Sequence, residues 1–326
     1  MRQRVAIIGS GISGLGAAWI LSRHHDVTVF ESEPRAGGHA RTAQALGVAV
    51  DTGFIVCNRR TYPLFIPLME HLGVPLIPTD MSFSASLGGG AYEYGTRTLP
   101  ALFAQWSRAF DPSHWRMLRD TMKFFKGATA YAESEITLGE MVTQMGLGRA
   151  FRDRFLLPIS GAIWSTPTRG MLDFPAAPFV RFFDNHGLLT VASHPQWFTV
   201  QGGSQRYVAA LLADMQIDLR LGDPVARVTR KPDGIDVESA SGLFEFDRVV
   251  FATHAPQALG MIETPSVDEA ASHAAQARLP EIQGADRLYF AGAWTRYGFH
   301  EDGLLSALRV AQAMGHDWPL GADPWA

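Results

Sequence analysis

The sequence predicts an α/β fold in which a parallel sheet and a mostly helical second part alternate along one chain. Three observations lead to this fold class. The chain opens with a short apolar run of β type, a glycine-rich turn and a helical pattern. Runs of β type return late, in 199–256 and 288–292, whereas 61–195 has the apolar spacing of helices.

The first 31 residues form one strand–turn–helix–strand pattern. Val5–Ile8 is an apolar run typical of a buried strand, residues 12 to about 23 are helical, and Val27–Phe30 is a second β-branched run. The turn after the first strand has G-x-G-x-x-G spacing, at Gly9, Gly11 and Gly14. This combination indicates a dinucleotide-binding unit of Rossmann-like type, whereas glycines alone can also serve only to make a turn.

Each part of this unit has a chemical role. Gly9 permits the tight turn, Gly11 lets the backbone approach a pyrophosphate, and Gly14 lets the helix pack closely against the sheet. The helix N-terminus offers free N–H groups to the phosphates. Glu31 ends the second strand, where a carboxylate accepts hydrogen bonds from a ribose 2′-OH and repels a 2′-phosphate. NADP is therefore disfavoured.

Two further motifs accompany this unit. Pro34–Thr42 (PRAGGHART) places a second glycine pair between two arginines, which NAD-binding folds do not need at this point. Leu288–Gly292 (LYFAG) predicts a last short strand with a glycine stop. Gly298–Ala311 (GFHEDGLLSALRVA) then begins a helix with Glu301 and Asp302 in its first turn.

Together these motifs resemble the FAD-dependent amine oxidase and carotenoid desaturase superfamily. The sequence is most similar to bacterial predicted NAD/FAD-binding proteins associated with cyclopropane fatty acid synthases, which share Asp51–Val56 (DTGFIV) and the GFHEDG run. The resemblance covers both ends of the chain and Thr199–Pro256. It implies a two-dinucleotide-binding-type FAD flavoprotein, with a Rossmann-like parallel sheet and a mostly helical substrate cap.

The resemblance implies FAD as the cofactor and suggests which residues bind it. In the superfamily the glycine pair and its arginines follow the diphosphate, the backbone at the position of Val225 touches the adenine, and the last helix meets the ribityl and pyrophosphate groups. The matching positions of this sequence are Gly9, Gly11, Ser13, Gly14, Glu31, Arg35, Gly37, Gly38, Arg41, Thr42, Val225, Gly292, Glu301, Asp302 and Gly303.

The resemblance also implies a discontinuous cofactor domain, made of residues 1–60, 196–260 and 284–326. Residues 61–195 would form the substrate cap, and 261–283 a shortened connection. In the cap, Pro63 suits the first position of a helix, and Thr137 with Glu140 forms a capping box. On return to the cofactor domain, Gly202–Gly203–Ser204 should open another helix, and the following strands are predicted at Val225–Thr229, Ile235–Glu238 and Phe244–Ala252.

The helix predicted over Asp111–Tyr131 has two interpretations. Its apolar residues recur at three- and four-residue steps and alternate with basic ones: Trp115, Leu118, Met122 and Phe125, with Arg116, Arg119, Lys123 and Lys126. Such a helix is more often a cap helix with a solvated basic face. A basic amphipathic helix can also lie on an anionic membrane, and the lipid-related resemblance keeps this alternative open.

Bulk properties exclude several classes of protein. The chain has 326 residues, a net charge of −4 and a single cysteine, Cys57. The charge argues against a nucleic-acid partner, and one cysteine suits a reducing compartment. No stretch approaches the roughly 18 apolar residues that span a bilayer, and the first strand begins too early for a signal peptide. We therefore expect a cytoplasmic protein, with peripheral contact to the inner face of the membrane kept open.

Candidate catalytic residues lie in the loop before the last helix: Trp294, Tyr297, Phe299 and His300. In amine oxidases aromatic residues of this loop form a cage beside the flavin. His300 has three interpretations: an acid or base, a covalent link to flavin, or a hydrogen-bonded loop residue, which is the commonest case. Trp164 in Gly161–Pro167 (GAIWSTP) matches the region where cap meets flavin in relatives, or belongs to the core. No metal-ligand spacing is present, so we expect no metal.

The interval Ala255–Asp286 is short for the superfamily, and no lysine follows Lys231. Much of the substrate-domain sheet would then be missing, which predicts a homodimer or an open flavin face. Three functions remain. The first is an FAD-dependent oxidoreductase that dehydrogenates or isomerises a hydrophobic or lipid substrate, such as a fatty-acyl chain, by hydride transfer to flavin N5. The others are an amine oxidase, and an FAD-binding protein with weak or no catalysis.

Overall fold

The protein forms two compact units in a computed structural model that describes residues 1–164, 170–190, 195–262 and 272–326, without the side chains of residues 164, 272–275 and 277. Met1–Pro78 and Phe198–Ala326 make up the first unit, and the continuous segment Thr79–Trp197 makes up the second. The sequence placed the first boundary after residue 60. The assignment of cofactor and substrate roles to the two parts stays a prediction.

The chain up to residue 79 begins with the predicted strand–helix–strand unit. Its elements are β1 (Arg4–Ile8), α1 (Ile12–Leu21), β2 (Asp26–Glu31), β3 (Thr42–Ala45), β4 (Val48–Asp51), β5 (Cys57–Asn58), α2 (Phe65–His71) and β6 (Leu76–Thr79). The predicted helix start at Pro63 is wrong, because α2 begins at Phe65 and Pro63 lies outside it. The first N–H groups of α2 are instead satisfied by a distant carboxylate, that of Glu301.

The second unit is mostly helical, with one hairpin that sequence patterns did not indicate. Its elements are β7 (Ser84–Leu87), β8 (Tyr92–Gly95), α3 (Leu99–Leu102), α4 (Pro112–Gly127), α5 (Leu138–Gln144), α6 (Arg149–Phe151), α7 (Leu157–Trp164) and α8 (Ala176–Asn185). Phenylalanine rings fill its core, including Phe124, Phe151, Phe179 and Phe183. The capping box of Thr137 and Glu140 is present at the start of α5. Of the GAIWSTP run, residues 165–167 and the Trp164 side chain lie outside the described residues.

Helix α4 starts as predicted, and its buried face holds two polar and two apolar residues. Asp111 accepts a hydrogen bond from the Ser113 N–H at 2.8 Å, with Pro112 at the first helical position. The buried residues are His114, Met117, Asp120 and Phe124. The basic residues Arg116, Arg119, Lys123 and Lys126 are exposed, as are the apolar residues Trp115 and Met122.

The rest of the chain returns to the first unit. Its elements are β9 (Trp197–Val200), α9 (Gln205–Ala213), β10 (Asp218–Leu221), β11 (Val225–Arg230), β12 (Ile235–Ser239), β13 (Gly242–Phe246), β14 (Arg248–Phe251), α10 (Ala255–Met261), α11 (Ser272–Ile282), β15 (Leu288–Phe290) and α12 (His300–Ala313). The single strand predicted over Phe244–Ala252 is wrong. It is split at Asp247, whose N–H donates to the Arg4 carbonyl at 2.9 Å, so that β13 pairs with β12 while β14 enters another sheet.

A five-stranded parallel sheet in the order β10-β2-β1-β14-β15 organises the first unit, which confirms the predicted α/β class. The antiparallel sheet β11-β12-β13 packs on it through apolar side chains such as Phe30, Val237 and Phe246. Further strands pair as β3-β4 and β5-β9-β6. The chain reverses its direction of winding between β1 and β14, and ligands of open parallel sheets bind at the carboxyl edge of such a switch point.

Candidate functional site

The turn after β1 needs two of its glycines for its own packing. Gly9 has φ +103°, and a Cβ there would lie 2.7 Å from the Ala252 carbonyl oxygen, at the end of β14. A Cβ on Gly14 would lie 1.8 Å from the Gly9 carbonyl oxygen. Neither position can hold a side chain, because both contacts are with backbone. These glycines fix the turn between β1 and α1.

Gly11 differs from both, because the protein itself leaves space beside it. Its φ of −68° suits any residue, and a Cβ there would meet nothing within 4 Å. The second glycine pair comes close on one side, where a Cβ on Gly38 would lie 3.0 Å from the Gly11 Cα. Arg35 donates to the Gly38 carbonyl oxygen at 3.1 Å. An open space bordered by bare backbone at a helix N-terminus fits a pyrophosphate.

Glu31 is held in place at the carboxyl end of β2. One carboxylate oxygen accepts from the Ser10 N–H at 2.9 Å and the Ser10 hydroxyl at 2.5 Å, and the other accepts from the Glu33 N–H at 2.9 Å. Burial raises the pKa of Glu31, but hydrogen bonds from Ser10, Glu33 and Ser32 outweigh it and keep the pKa below its ordinary value. The carboxylate is thus charged at neutral pH, as an acceptor for ribose hydroxyls requires.

Helix α12 brings a second helix N-terminus to the same edge. A Cβ on Gly303 would lie 2.7 Å from Ile12 Cγ2 and 2.9 Å from Ser13 Oγ, so the first turns of α12 and α1 are in contact. At the end of the last strand, the Gly292 N–H donates to the Ser306 hydroxyl at 2.8 Å. The predicted motifs at the two ends of the chain therefore meet at the switch point of the sheet.

The carboxylates of the two acids in the first turn of α12 have partners within the protein. Glu301 accepts hydrogen bonds from the N–H groups of Leu64 at 2.8 Å and Phe65 at 3.0 Å. Asp302 accepts from the Phe299 N–H at 3.0 Å. Burial raises the pKa of Glu301 to about 7 and that of Asp302 to about 6. The predicted contacts of these two residues with the cofactor stay a prediction, with their backbone N–H groups at the N-terminus of α12.

His300 lies in an aromatic cluster. Its Nε2 is 2.5 Å from the Tyr207 hydroxyl, and its ring stacks on Phe54 with centroids 3.9 Å apart. Phe65 contacts it edge-on at 5.4 Å. Burial, with the neighbouring charge of His39, lowers the pKa of His300 to about 3. The side chain is a neutral, hydrogen-bonded imidazole, which is one of its three interpretations.

The other aromatic residues of the loop have different neighbours. Trp294 donates from Nε1 to the Thr253 carbonyl at 3.0 Å, and its indole occupies the space where a Gly292 side chain would stand. Tyr297 packs under the Arg296 guanidinium at 5.1 Å. Phe299 provides the N–H that Asp302 accepts. None of these three contacts is with His300.

The second glycine segment continues into a polar cluster. Thr42 donates to Asp51 at 2.6 Å and accepts from the Gln205 N–H at 3.0 Å. Asp51 also accepts from the Ser204 N–H at 2.9 Å, so it caps the start of α9. Of the remaining predicted residues, Gly37 is buried and has φ +112°, Arg41 is exposed, and Val225 is half-buried at the start of β11.

Sequence reasoning missed Ser10, Tyr207 and the capping role of Asp51. Ser10 is a variable position of the glycine motif, so nothing in the pattern indicates its bond to Glu31. Tyr207 joins His300 only through the fold, across 93 positions of sequence. Asp51 stands out in the sequence because it is the first residue of the DTGFIV run. Its capping role could not be predicted, because its partner Ser204 lies far along the chain.

Comparison with known proteins supplies the family. Residues 12–283 match the family of flavin containing amine oxidoreductases. The chain belongs to this family. It is an FAD-dependent oxidoreductase with the fold of the amine oxidase-type flavoproteins, which confirms the predicted cofactor and enzyme class.

Individual relatives agree on the fold. A protein of Mycobacterium tuberculosis named as a flavin-containing monoamine oxidase is 27% identical over 92% of this chain and 68% of its own length. A fatty acid isomerase from P. acnes has a TM-score of 0.67 at 14% identity, covering 95% of this chain and 98% of that one. Cyclohexylamine oxidase from Brevibacterium oxydans has a TM-score of 0.66 at 15% identity, covering 97% and 100%. In the described part of the chain, no helix is long and apolar enough to cross a bilayer.

Proposed function

We propose that this oxidoreductase dehydrogenates or isomerises a hydrophobic substrate, such as a fatty-acyl chain. Bound FAD supplies a hydride acceptor at N5 of its isoalloxazine ring. The protein's share of the chemistry is to hold the cofactor, to orient the substrate and to exclude water. The family is established, whereas the substrate class is our proposal.

We propose that the space beside Gly11 takes the pyrophosphate, with the N-termini of α1 and α12 facing it. The open position at Gly11 supports this placement, because the protein's own packing does not require a glycine there. Glu31 would accept hydrogen bonds from a ribose, since its bonds to Ser10 keep it ionised and oriented. Arg35 would stand beside the phosphates, next to Gly38.

The proposed substrate class rests on the partners of Glu301 and Asp302, the two acids in the first turn of α12. An amine substrate calls for a carboxylate that orients its nitrogen. Glu301 accepts from the N–H groups of Leu64 and Phe65 and from the Trp325 indole, and Asp302 accepts from the Phe299 N–H and pairs with Arg296 at 3.7 Å. The neighbouring His300 is neutral and stacked on Phe54. Both carboxylates thus already have partners within the protein and His300 carries no charge, which favours a hydrocarbon chain over a cationic amine.

Two likenesses support the same substrate class. One structure that shares the fold of this chain over 95% of its length is named as a fatty acid isomerase. The runs DTGFIV and GFHEDG resemble proteins associated with cyclopropane fatty acid synthases. In this protein Asp51 and Asp302, which belong to those runs, fix the starts of α9 and α12. These two runs therefore position the site, and neither residue needs to touch the substrate.

Anaerobic spectroscopy of the purified yellow protein tests the proposal. We expect unsaturated fatty acids or their acyl esters to bleach the flavin, or to be converted to a conjugated diene with its own ultraviolet absorbance. Primary amines such as putrescine and cyclohexylamine should leave the flavin oxidised. If amines bleach the flavin and acyl substrates do nothing, the proposal is wrong and the second candidate holds.

That second candidate, an amine oxidase, is favoured by the relative named as a monoamine oxidase, which matches 92% of this chain. If neither substrate class acts on the yellow protein, the third function stands, an FAD-binding protein with weak or no catalysis. The short Ala255–Asp286 interval would account for it. The three outcomes are distinguishable with one set of substrates.

A further inference from the structure

The second unit presents large apolar side chains to solvent on three consecutive elements. Leu99 on α3 is 77% exposed, Trp106 and Phe110 in the following 3₁₀ turn are 81% and 89% exposed, and Trp115 on α4 is 53% exposed. Single exposed apolar side chains are ordinary, but a group of four, three of them aromatic, marks an interaction site. We call these four residues the aromatic surface.

This surface is held in place by its own contacts. Trp115 donates from its indole N–H to the Ala109 carbonyl at 2.9 Å, which ties α4 to the 3₁₀ turn. Phe103 lies between the elements, with its ring 5.2 Å from those of His114 and Trp115. The aromatic side chains therefore extend from a folded support and need no rearrangement to reach a partner.

Basic side chains follow the aromatic surface along α4. Arg116, Lys123 and Lys126 are exposed and, among the residues that the structure describes, form no ion pair. Arg119 pairs with Asp120 at 3.1 Å, but its own side chain stays 74% exposed. The helix thus has a solvent face with four cations, in a chain whose net charge is −4.

Acidic residues neutralise little of this face, where, among the described residues, Arg119 alone of the four cations pairs with an acid. The segment 97–131 has six arginines and lysines and only two acids, Asp111 and Asp120. Asp111 caps α4, and its Oδ1 accepts from the Ser113 N–H and hydroxyl. Asp120 is buried and accepts from the Gly148 N–H at 2.9 Å. The local positive charge is therefore available to an external anionic surface.

We infer that the aromatic surface and the basic face of α4 dock the protein on an anionic lipid bilayer. Exposed tryptophan and phenylalanine enter the boundary between headgroups and acyl chains, while lysine and arginine are attracted to anionic headgroups. The two sets meet on α4, where Trp115 precedes Arg116 and is bonded to the 3₁₀ turn that holds Trp106 and Phe110. Docking is peripheral, because no helix of the described residues can cross a bilayer.

Sedimentation with lipid vesicles tests this inference on the yellow protein. Phosphatidylcholine vesicles that contain phosphatidylglycerol should bind about tenfold more protein than pure phosphatidylcholine vesicles at low salt. Added salt should release most of it, since exposed charges are screened. The double variant W106S/F110S and the triple variant R116Q/K123Q/K126Q should each lower the bound fraction about fivefold. The control Leu243→Ser removes an apolar side chain that is 65% exposed on β13, and should bind like the parent protein.

Retained flavin absorbance shows that each variant is folded. The inference is overturned if the parent protein binds neither kind of vesicle at low salt, or if both multiple variants bind as well as the parent. It is also overturned if the parent ignores vesicles but forms a dimer that W106S/F110S disrupts, because the surface would then serve a second copy of the chain. None of these results depends on which substrate the enzyme oxidises.

Discussion

At the residue scale, Gly11 and Gly14 are needed for two different reasons. A side chain on Gly14 would collide with backbone inside the turn, whereas one on Gly11 would enter empty space. The first requirement belongs to the folded chain alone. The second exists only when a ligand fills the space. Substitution at the two positions should therefore have separable effects on folding and on cofactor binding.

Replacement of Gly11 by valine should abolish flavin retention and leave the fold intact. The valine side chain would occupy the proposed pyrophosphate space without touching protein atoms near its Cβ. Absorbance of the purified protein gives the flavin content, and circular dichroism gives the fold. Gly260→Val is the matched control, because a Cβ on Gly260 also meets nothing within 4 Å. A Gly11 variant that stays yellow at full stoichiometry would place the pyrophosphate elsewhere.

Glu31→Gln should weaken FAD binding by about 1.5–3 kcal/mol, because charge-assisted hydrogen bonds to the ribose become neutral ones. The amide keeps the size of the side chain, although its NH₂ group must then face one set of donors. Titration of the apoprotein with FAD measures the loss. Glu33→Gln alters an exposed neighbouring acid and should leave the affinity unchanged. Equal affinity in both variants would remove Glu31 from the site.

The residues that sequence could identify act within one short segment. Gly9, Gly14 and Glu31 lie in a single strand–helix–strand unit, where chain spacing alone fixes geometry. The side chain of Glu301 could not be assigned, because its partners Leu64 and Phe65 stand more than two hundred positions away. Roles that depend on distant partners are decided by packing, which spacing does not encode.

At the scale of elements, the crossing of α1 and α12 depends on the absence of side chains. Gly303→Val should force the helices apart, because its Cβ would already lie within 3 Å of Ile12 and Ser13. Overpacking of this kind costs about 1–3 kcal/mol. Urea unfolding measures this loss, and flavin affinity should fall with it. Ala313→Val on the exposed side of α12 is the control. A Gly303 variant as stable as this control would contradict the close crossing.

The far ends of these helices meet through histidines. His25, after α1, accepts the Gln3 N–H at Nδ1, and its Nε2 lies 2.8 Å from Nε2 of His316, after α12. This geometry requires a neutral His25. Burial, with the charges of His316 and Arg248, lowers the pKa of His25 to about 4. The unfolded chain takes up this proton near pH 6.5, so stability should fall as pH drops from 6.5 to 4.

His25→Asn should remove this part of the pH dependence, on the order of 2 kcal/mol, because the amide keeps an acceptor near Nδ1 and does not titrate. Urea unfolding at pH 7.5 and pH 5 measures it, with the exposed His254→Asn as control. Glu301 and Asp302 act in the opposite direction, since their raised pKa values favour the folded state as pH falls. The difference between variant and parent isolates His25. An unchanged difference between the two pH values would exclude the contact.

Secondary structure was predictable for elements that are buried along nearly their whole length. β1, α1 and β2 are buried nearly throughout and agree with their apolar runs. The prediction of one strand over Phe244–Ala252 was wrong because this run contributes to two sheets. β13 and β14 are separated at Asp247 by their pairing with different strands, which the sequence pattern does not show. In α4 the spacing of apolar residues does not show which of them are buried, since Met117 and Phe124 are buried whereas Trp115 and Met122 are exposed.

At the scale of the whole molecule, motifs scattered along the chain together predicted the fold of an FAD flavoprotein. Local patterns could not predict the structure of the short Ala255–Asp286 interval. The described part of this interval includes α10 and α11, and residues 263–271 are not among the residues that the structure describes. Sequence motifs therefore do not predict which part of the protein, if any, covers the flavin.

We expect either a dimer or a flavin unusually open to solvent, because the short interval supplies little sheet to cover it. Openness admits water, so turnover should be slow even where FAD binds tightly. Gel filtration gives the oligomeric state, and iodide quenching of flavin fluorescence gives the accessibility, with free FAD as reference. A monomer with a shielded flavin and rapid turnover would show that the interval closes the site by itself.

The continuity of the second unit has a consequence for how such enzymes diversify. Thr79 and Gln196 stand near its two ends, and the Gln196 amide donates to the Thr79 carbonyl at 3.1 Å. The chain leaves on β6 and returns on β9, which are neighbouring strands. An insertion with adjoining ends can be exchanged as a cassette, since its removal leaves a gap that a short link can close. Because this segment is the predicted substrate cap and carries the aromatic surface, we expect a graft between relatives to transfer substrate preference and lipid docking together.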